Sequence, residues 1–140
     1  MQSLRLQTKY FAIPRNLLLW TENSKLHPLV KSCVFRYEFE LIHPFLDGNG
    51  RRGRLWHTLI LSKWNPVFAW LPIESMIYRY QEEYYKVINK CNESCDSTEF
   101  IEFMLGIIKS VLTEAKKEPE KVAIENKNVA IEGLKVAIGK

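Results

Sequence analysis

A chain of 140 residues with a formal net charge of +4 has length for one domain with its own core, and its apolar and charged fractions, 46% and 26%, are those of an ordinary globular protein. The charge is mild, and lysines and arginines are interspersed with acids, which suits an anionic ligand but argues against a nucleic-acid surface. Charges interrupt every apolar stretch short of a membrane span, and Met1-Gln2-Ser3-Leu4-Arg5 lacks the apolar core of a secretory signal, so the expectation is a cytoplasmic protein without membrane contact.

In chain order, Pro14 marks a break, and Leu17-Leu18-Leu19-Trp20 begins a short helical run that ends at Asn23 and Ser24. Pro28 opens the next element. From Leu29 to Ile42 the positions Val30, Cys33, Val34, Tyr37 and Leu41 follow helical spacing, with Lys31, Arg36 and Glu38 elsewhere, which predicts a largely buried helix. Cys33, Cys91 and Cys95 make no even disulfide framework, and Cys91 and Cys95 lack the further ligands of a zinc site, so free thiols are expected.

The helix delivers His43, and Pro44 stops it there because a residue before proline is pushed out of the α region. Phe45 is expected to point into the core and anchor the turn. A second helix is predicted from about Arg51 to Lys63, with Leu55, Leu59 and Ser62 on one face and Trp56 and Ile60 beside it; Asn65-Pro66 breaks it. Val67 to Leu71 is a connector. Pro72 precedes a third helix, Ile73 to Asn89, with Ile77, Tyr80, Tyr84, Val87 and Ile88 on one face. Asn92 to Asp96 is a polar turn. Asp96 and Glu99 have capping-box spacing, and Phe100, Phe103, Met104, Ile107, Ile108 and Val111 form the buried stripe of a last helix to about Thr113. No β pattern occurs in this core, so the domain reads as all-α.

The chemistry concentrates in residues 43–54, His-Pro-Phe-Leu-Asp-Gly-Asn-Gly-Arg-Arg-Gly-Arg. Gly48-Asn49-Gly50 lets backbone N–H groups converge, and a helix starting just after it turns its positive end to the same spot. Arg51 and Arg54 stand one turn apart, so both forks can meet one anion. Asp47 is a hard oxygen ligand suited to Mg²⁺ on phosphates, and His43 can take a proton from an attacking hydroxyl. Each feature alone has a plain reading: Asp-Gly and Asn-Gly are ordinary turn dipeptides, and arginines after a turn are often solvated. Their coincidence in one short stretch suits a nucleoside triphosphate.

The stretch resembles the Fic family motif, His-x-Phe-x-(Asp/Glu)-Gly-Asn-Gly-Arg-x-x-Arg, at every defined position, and the likeness extends over roughly residues 12–113. The resemblance implies a compact helical bundle with the active-site loop between two helices. It implies a protein adenylyltransferase that moves AMP from ATP to a Tyr, Ser or Thr hydroxyl of a target protein and releases pyrophosphate. His43 would be the general base and Asp47 would hold Mg²⁺. Gly48, Asn49 and Gly50 would form the anion hole, Arg51 would meet the β-phosphate and Arg54 the γ-phosphate. Tyr85 and Asn92 would lie near the nucleoside, with Tyr84 in the core. In the Doc-like branch, which moves the γ-phosphate, the glycines and second arginine are altered; Gly48, Gly50 and Arg54 all stand here, which favours AMP transfer.

Two features of the resemblance are not evident. Family members carry helices and a β-hairpin flap before the motif helix, and residues 1–11 show no hairpin, so the core of residues 1–113 is expected to be incomplete at its N-terminus. A remnant that only binds nucleotide or a partner is the alternative this raises. Many members are also restrained by an inhibitory helix, or by an antitoxin partner, through a Ser/Thr-x-x-x-Glu-Gly/Asn motif. Glu125-Asn126 and Glu132-Gly133 match its end but lack the opening Ser or Thr. Both lie in a C-terminal extension, 114–140, where Val-Ala-Ile recurs at Val122, Val129 and Val136; a solvated extension and an oligomerisation or partner-docking segment are the two readings.

Overall fold

A computed structural model describes residues 15–118, which are helical apart from short connections and contain no strand. The elements are α1 (15–23), α2 (Pro28–Ile42), α3 (Asn49–Trp64), a 3₁₀ turn (Pro66–Ala69), α4 (Ile73–Arg79), α5 (Gln81–Ser94) and α6 (Thr98–Lys117). The all-α expectation holds. The flap region and the Val-Ala-Ile units with Glu125 and Glu132 lie outside the described residues, which take in the expected extension only at 114–118.

α2 is the central element because it has two apolar sides. Cys33 and Tyr37 join the main core with Leu61 of α3, Met76 and Ile77 of α4, Tyr84 and Cys91 of α5, and the α6 stripe. Phe35 and Phe39 join a second cluster with Leu17 of α1, Trp56 and Ile60. Such a helix leaves little surface for charge, and Arg36, expected away from the apolar positions, is only 3% exposed. Leu41, expected among those positions, is exposed. At the start of α2 the His27 ring accepts from the Leu29 N–H (3.2 Å), and Pro28 occupies the first turn, where a missing donor costs nothing.

α3 packs on α2 through Asn49, Gly53, His57 and Leu61, spaced four apart, and not through Leu55 and Leu59, which are exposed. The inward row is the one that lets two helices approach. A methyl on Gly53 would stand 3.3 Å from Phe39, closer than the helices can easily accommodate. Periodicity alone selected the apolar residues of α3; close packing selected the small one.

The third predicted helix is two. Tyr80 (φ −109°, ψ 31°) leaves the helical region and separates α4 from α5, which then runs to Ser94 and takes in Asn92. The last helix starts differently from the capping box expected. Asp96 Oδ1 accepts from both the N–H and hydroxyl of Thr98 (2.9 and 2.6 Å), whereas Glu99 pairs with Lys90 (2.8 Å). α6 continues past Thr113 to Lys117. Cys33, Cys91 and Cys95 are free, and burial pushes the Cys33 thiol up to about 11.

His57 is fully buried, and neither ring nitrogen has a partner among the described residues. Burial, reinforced by the nearby Arg36 charge, lowers its pKa from 6.5 to about 3. Between those values the unfolded chain binds a proton that the folded chain refuses, so this contribution to stability is complete above pH 6.5 and lost as pH falls towards 3. Replacing His57 by Leu should therefore flatten the acid side of the stability curve by up to about 1.4 kcal/mol per pH unit, without lowering stability at neutrality. Urea unfolding at a series of pH values measures this; a slope identical to the parent's would refute it.

Candidate active site

The turn between α2 and α3 is set by backbone geometry at both ends. His43 caps α2 in the left-handed region (φ 50°), its N–H bonded to the Phe39 carbonyl (3.1 Å). That conformation is unusual for a side-chain-bearing residue, and Pro44 makes continuation of the helix the worse option. Gly48 precedes α3 with φ 74°, where a Cβ would be strained. His43 and Asp47 are both exposed.

Asn49 closes the turn. It is buried, its Oδ1 accepts from the Phe45 N–H (2.9 Å), and its Nδ2 donates to the Phe45 carbonyl (2.6 Å). Arg52 adds a second clasp, donating to the Asp47 carbonyl (3.0 Å) with its guanidinium 4.0 Å from the Phe45 ring centroid. Phe45 is 43% exposed, so it does not anchor the turn in the core; it is held by Asn49 and covered by Arg52. The Asn49 side chain points inward, leaving only its backbone N–H for an anion.

α3 begins at Asn49, two residues earlier than expected, and no side chain caps it. Its first ladder bond is from the Arg52 N–H to the Gly48 carbonyl (3.1 Å), so the N–H groups of Asn49, Gly50 and Arg51 precede the ladder. With the positive helix end behind them, they make an anion-binding corner. Gly48 is placed differently: its N–H donates to Asp47 Oδ1 (2.7 Å). The Asp47 carboxylate keeps its other oxygen, and an exposed single carboxylate fits Mg²⁺, which usually takes few protein ligands and fills its sphere with phosphate oxygens and water. No cluster of three or more metal-binding side chains occurs among the described residues.

Beside this corner a cleft of about 160 Å³ opens between α2, α3, α4 and α5. Gly50, Arg54 and Tyr85 line it, so three of the residues singled out from sequence come together there. Nothing stands within 4 Å of where a Gly50 Cβ would be. Arg51 does not line the cleft; its guanidinium lies near Gly48. Asn92 lies seven residues beyond Tyr85 on α5, outside the cleft lining, and accepts from the Tyr37 hydroxyl (2.8 Å).

The rest of the cleft wall is a polar network that pattern reading missed. Arg36 grips Glu74 of α4 with both terminal nitrogens, the second bond at 3.1 Å. Its Nε donates to the Tyr84 hydroxyl (3.3 Å), and that hydroxyl donates to Glu40 Oε1 (2.9 Å). Burial works against the Arg36 charge, but the hydrogen bonds and charge of Glu74 outweigh it and hold the guanidinium above its ordinary range. Burial likewise raises Tyr84, against the pull of Arg36. One signal was available: Arg36, between Phe35 and Tyr37 on a largely apolar helix, needs a carboxylate.

Residues 5–61 match the Fic/DOC family. A crystal structure of a Fic family protein from Desulfovibrio desulfuricans G20 superposes with a TM-score of 0.79 at 49% identity over 81% of this chain. The chain carries a Fic/DOC family domain. A protein adenylyltransferase Fic of Nematostella vectensis is 33% identical over 87 residues, 62% of this chain, and a probable protein adenylyltransferase of Aquifex aeolicus is 35% identical over 80 residues, 56% of it. The chain matches only 19% and 23% of those relatives' lengths and covers 35% of the Desulfovibrio chain.

In this Fic domain the Arg36–Glu74 pair is the most exacting contact of the site, since Arg36 is buried and Glu74 is its only carboxylate partner among the described residues. Glu74→Ala strands that charge and should cost about 3 kcal/mol of stability, read by denaturant unfolding. A loss under about 1 kcal/mol would mean that water already solvates Arg36.

Proposed function

We propose that this Fic domain supports protein adenylyltransferase chemistry, moving AMP from ATP to a Ser, Thr or Tyr hydroxyl of a protein target. The observation that carries this reading is the turn itself. One Asn49-clamped loop presents an exposed His43 at one end and the uncapped start of α3 at the other.

In this reading the triphosphate lies against the N–H groups of Asn49, Gly50 and Arg51, where main-chain dipoles offset its charge without reorganising. Arg54 faces it from the cleft, and Arg51 takes the neighbouring phosphate. Tyr85 stands by the nucleoside; Asn92, about two turns further along α5, has its amide nitrogen free of partners among the described residues. Asp47 would hold Mg²⁺, whose contribution is to neutralise phosphate charge. His43 removes the proton from the target hydroxyl as its oxygen bonds to the α-phosphorus. The bond from that phosphorus to the bridging oxygen breaks, and pyrophosphate leaves with its charge matched by the two arginines.

Incubation with ATP labelled at the α-phosphate, alone and with lysate, tests the reaction. His43→Ala should lower labelling at least ~100-fold while ATP affinity stays within about twofold, because the imidazole moves a proton and does not hold the phosphates. Labelling at the parental rate would remove His43 from this role. Transfer of a γ-label would mean kinase-type chemistry, and binding without either transfer would leave a nucleotide-binding remnant.

A further inference from the structure

The cleft wall has an arrangement that packing alone does not require. Glu40 and Arg36 stand one turn apart on α2, Glu74 belongs to α4 and Tyr84 to α5, and all four line the same cleft as Gly50, Arg54 and Tyr85. We infer that Glu40 and Tyr84 are positioning residues: the chain of bonds Glu40–Tyr84–Arg36–Glu74 sets the angle of α5 and thereby where Tyr85 stands opposite Arg54. This inference rests on the proposed nucleotide site and deepens it.

Three observations support it. First, Tyr80 interrupts the helix between α4 and α5, so α5 does not inherit its direction from α4. Its orientation must come from side-chain contacts. Second, Tyr84 is the buried residue of the first half of α5, and neighbouring residues on a helix point about 100° apart. Holding Tyr84 against α2 therefore turns Tyr85 out to the cleft, where it is exposed. Third, the Tyr84 ring already packs edge-on to Phe100 (5.7 Å) and beside Phe103 (6.2 Å), contacts that a phenylalanine would also make. What the hydroxyl adds is direction: it accepts from Arg36 and donates to Glu40, which fixes rotation about the α5 axis.

The network also sorts the charges of the cleft. Glu74 neutralises Arg36, and Tyr84 engages one oxygen of Glu40. Arg54 is left without a carboxylate partner among the described residues, facing the space beside Gly50. A shift of α5 would move Tyr85 but not Arg54, which belongs to α3. The expected consequence of breaking the network is weaker nucleotide placement with the proton-transfer step retained.

The test uses Tyr84→Phe, Glu40→Ala and Glu40→Gln, the last keeping an acceptor oxygen at the same place. Folding is checked by thermal melting, ATP affinity by calorimetry, and kcat and KM by α-label transfer. Tyr84→Phe and Glu40→Ala should each raise KM and the ATP dissociation constant roughly tenfold with kcat within about threefold, and Glu40→Gln should restore most of the loss. The double variant Tyr84→Phe with Glu40→Ala should be no worse than either single change, because both break one chain. Folded Tyr84→Phe protein with parental ATP affinity and KM would overturn the inference, as would Glu40→Gln behaving like Glu40→Ala. Hydrogen exchange of residues 81–94 without nucleotide provides a separate reading: faster exchange in Tyr84→Phe is expected, and parental rates would reject the positioning role. Failure of the parent protein to bind ATP would instead reject the proposed nucleotide site, while leaving the exchange result to judge the network.

Discussion

The site depends on how α2 ends. A helix followed by proline has few ways out, and here His43 takes a left-handed conformation that turns the chain back on itself. The reversal would be loose without Asn49, whose amide satisfies both backbone groups of Phe45 and is itself buried by the fold. One side chain therefore does what a strand or a longer loop does elsewhere. It also starts α3, and that start leaves three N–H groups with no intrahelical acceptor. The candidate anion corner and the exposed imidazole are two ends of one closed turn.

Around that turn the bundle is asymmetric. α2 is surrounded by two apolar clusters, and a helix buried so fully cannot keep a guanidinium in water. Arg36 has to find its carboxylate inside the bundle, and Glu74 on α4 supplies it. The cost of burying the pair is lessened by the further bonds from Tyr84 and Glu40, which leave few polar atoms unsatisfied. His57, on α3, shows the opposite arrangement. It is buried with no hydrogen bond among the described residues, and burial first, then the Arg36 charge, disfavours its ionisation. α2 thus meets α4 and α5 through a satisfied polar network and α3 beside an unsatisfied ring.

Much of this was readable before the fold was known. The stop at His43, the helix on either side of the turn and the α6 stripe follow from proline chemistry and from periodicities that local geometry enforces. The convergence of Gly50, Arg54 and Tyr85 followed from the family resemblance, since nothing in the spacing of Tyr85 points across a bundle to α3. Phe45 was misplaced because an aromatic residue in a turn is read as an anchor, whereas Asn49 and Arg52 hold it at the surface. The inward face of α3 was misread because its packing residues are Gly53 and His57, which carry no hydrophobic signal. The break at Tyr80 has no glycine or proline to announce it, and the apolar spacing runs through it, with Ile77 and Tyr84 seven apart. Gly53 is decided by Phe39 on another helix, and Phe45 by polar side chains four and seven residues on; an apolar pattern registers neither.

That dependence bears on the cationic side chains. Arg36, Arg51, Arg52 and Arg54 fall within nineteen positions, and the sequence spacing singles out Arg51 and Arg54 as a pair without separating them. The fold assigns each a different electrostatic state. Arg36 is neutralised in the interior, Arg52 spans the turn to the Asp47 carbonyl, and Arg51 lies back near Gly48. Arg54 lines the cleft and forms no ion pair with a carboxylate among the described residues. An incoming polyanion therefore finds its uncompensated charge on α3, beside the free N–H groups. Because Arg36 is occupied by Glu74, it does not draw a phosphate to the opposite wall, and the asymmetry gives the cleft a direction: anion-receiving end at α3, aromatic end at Tyr85 on α5.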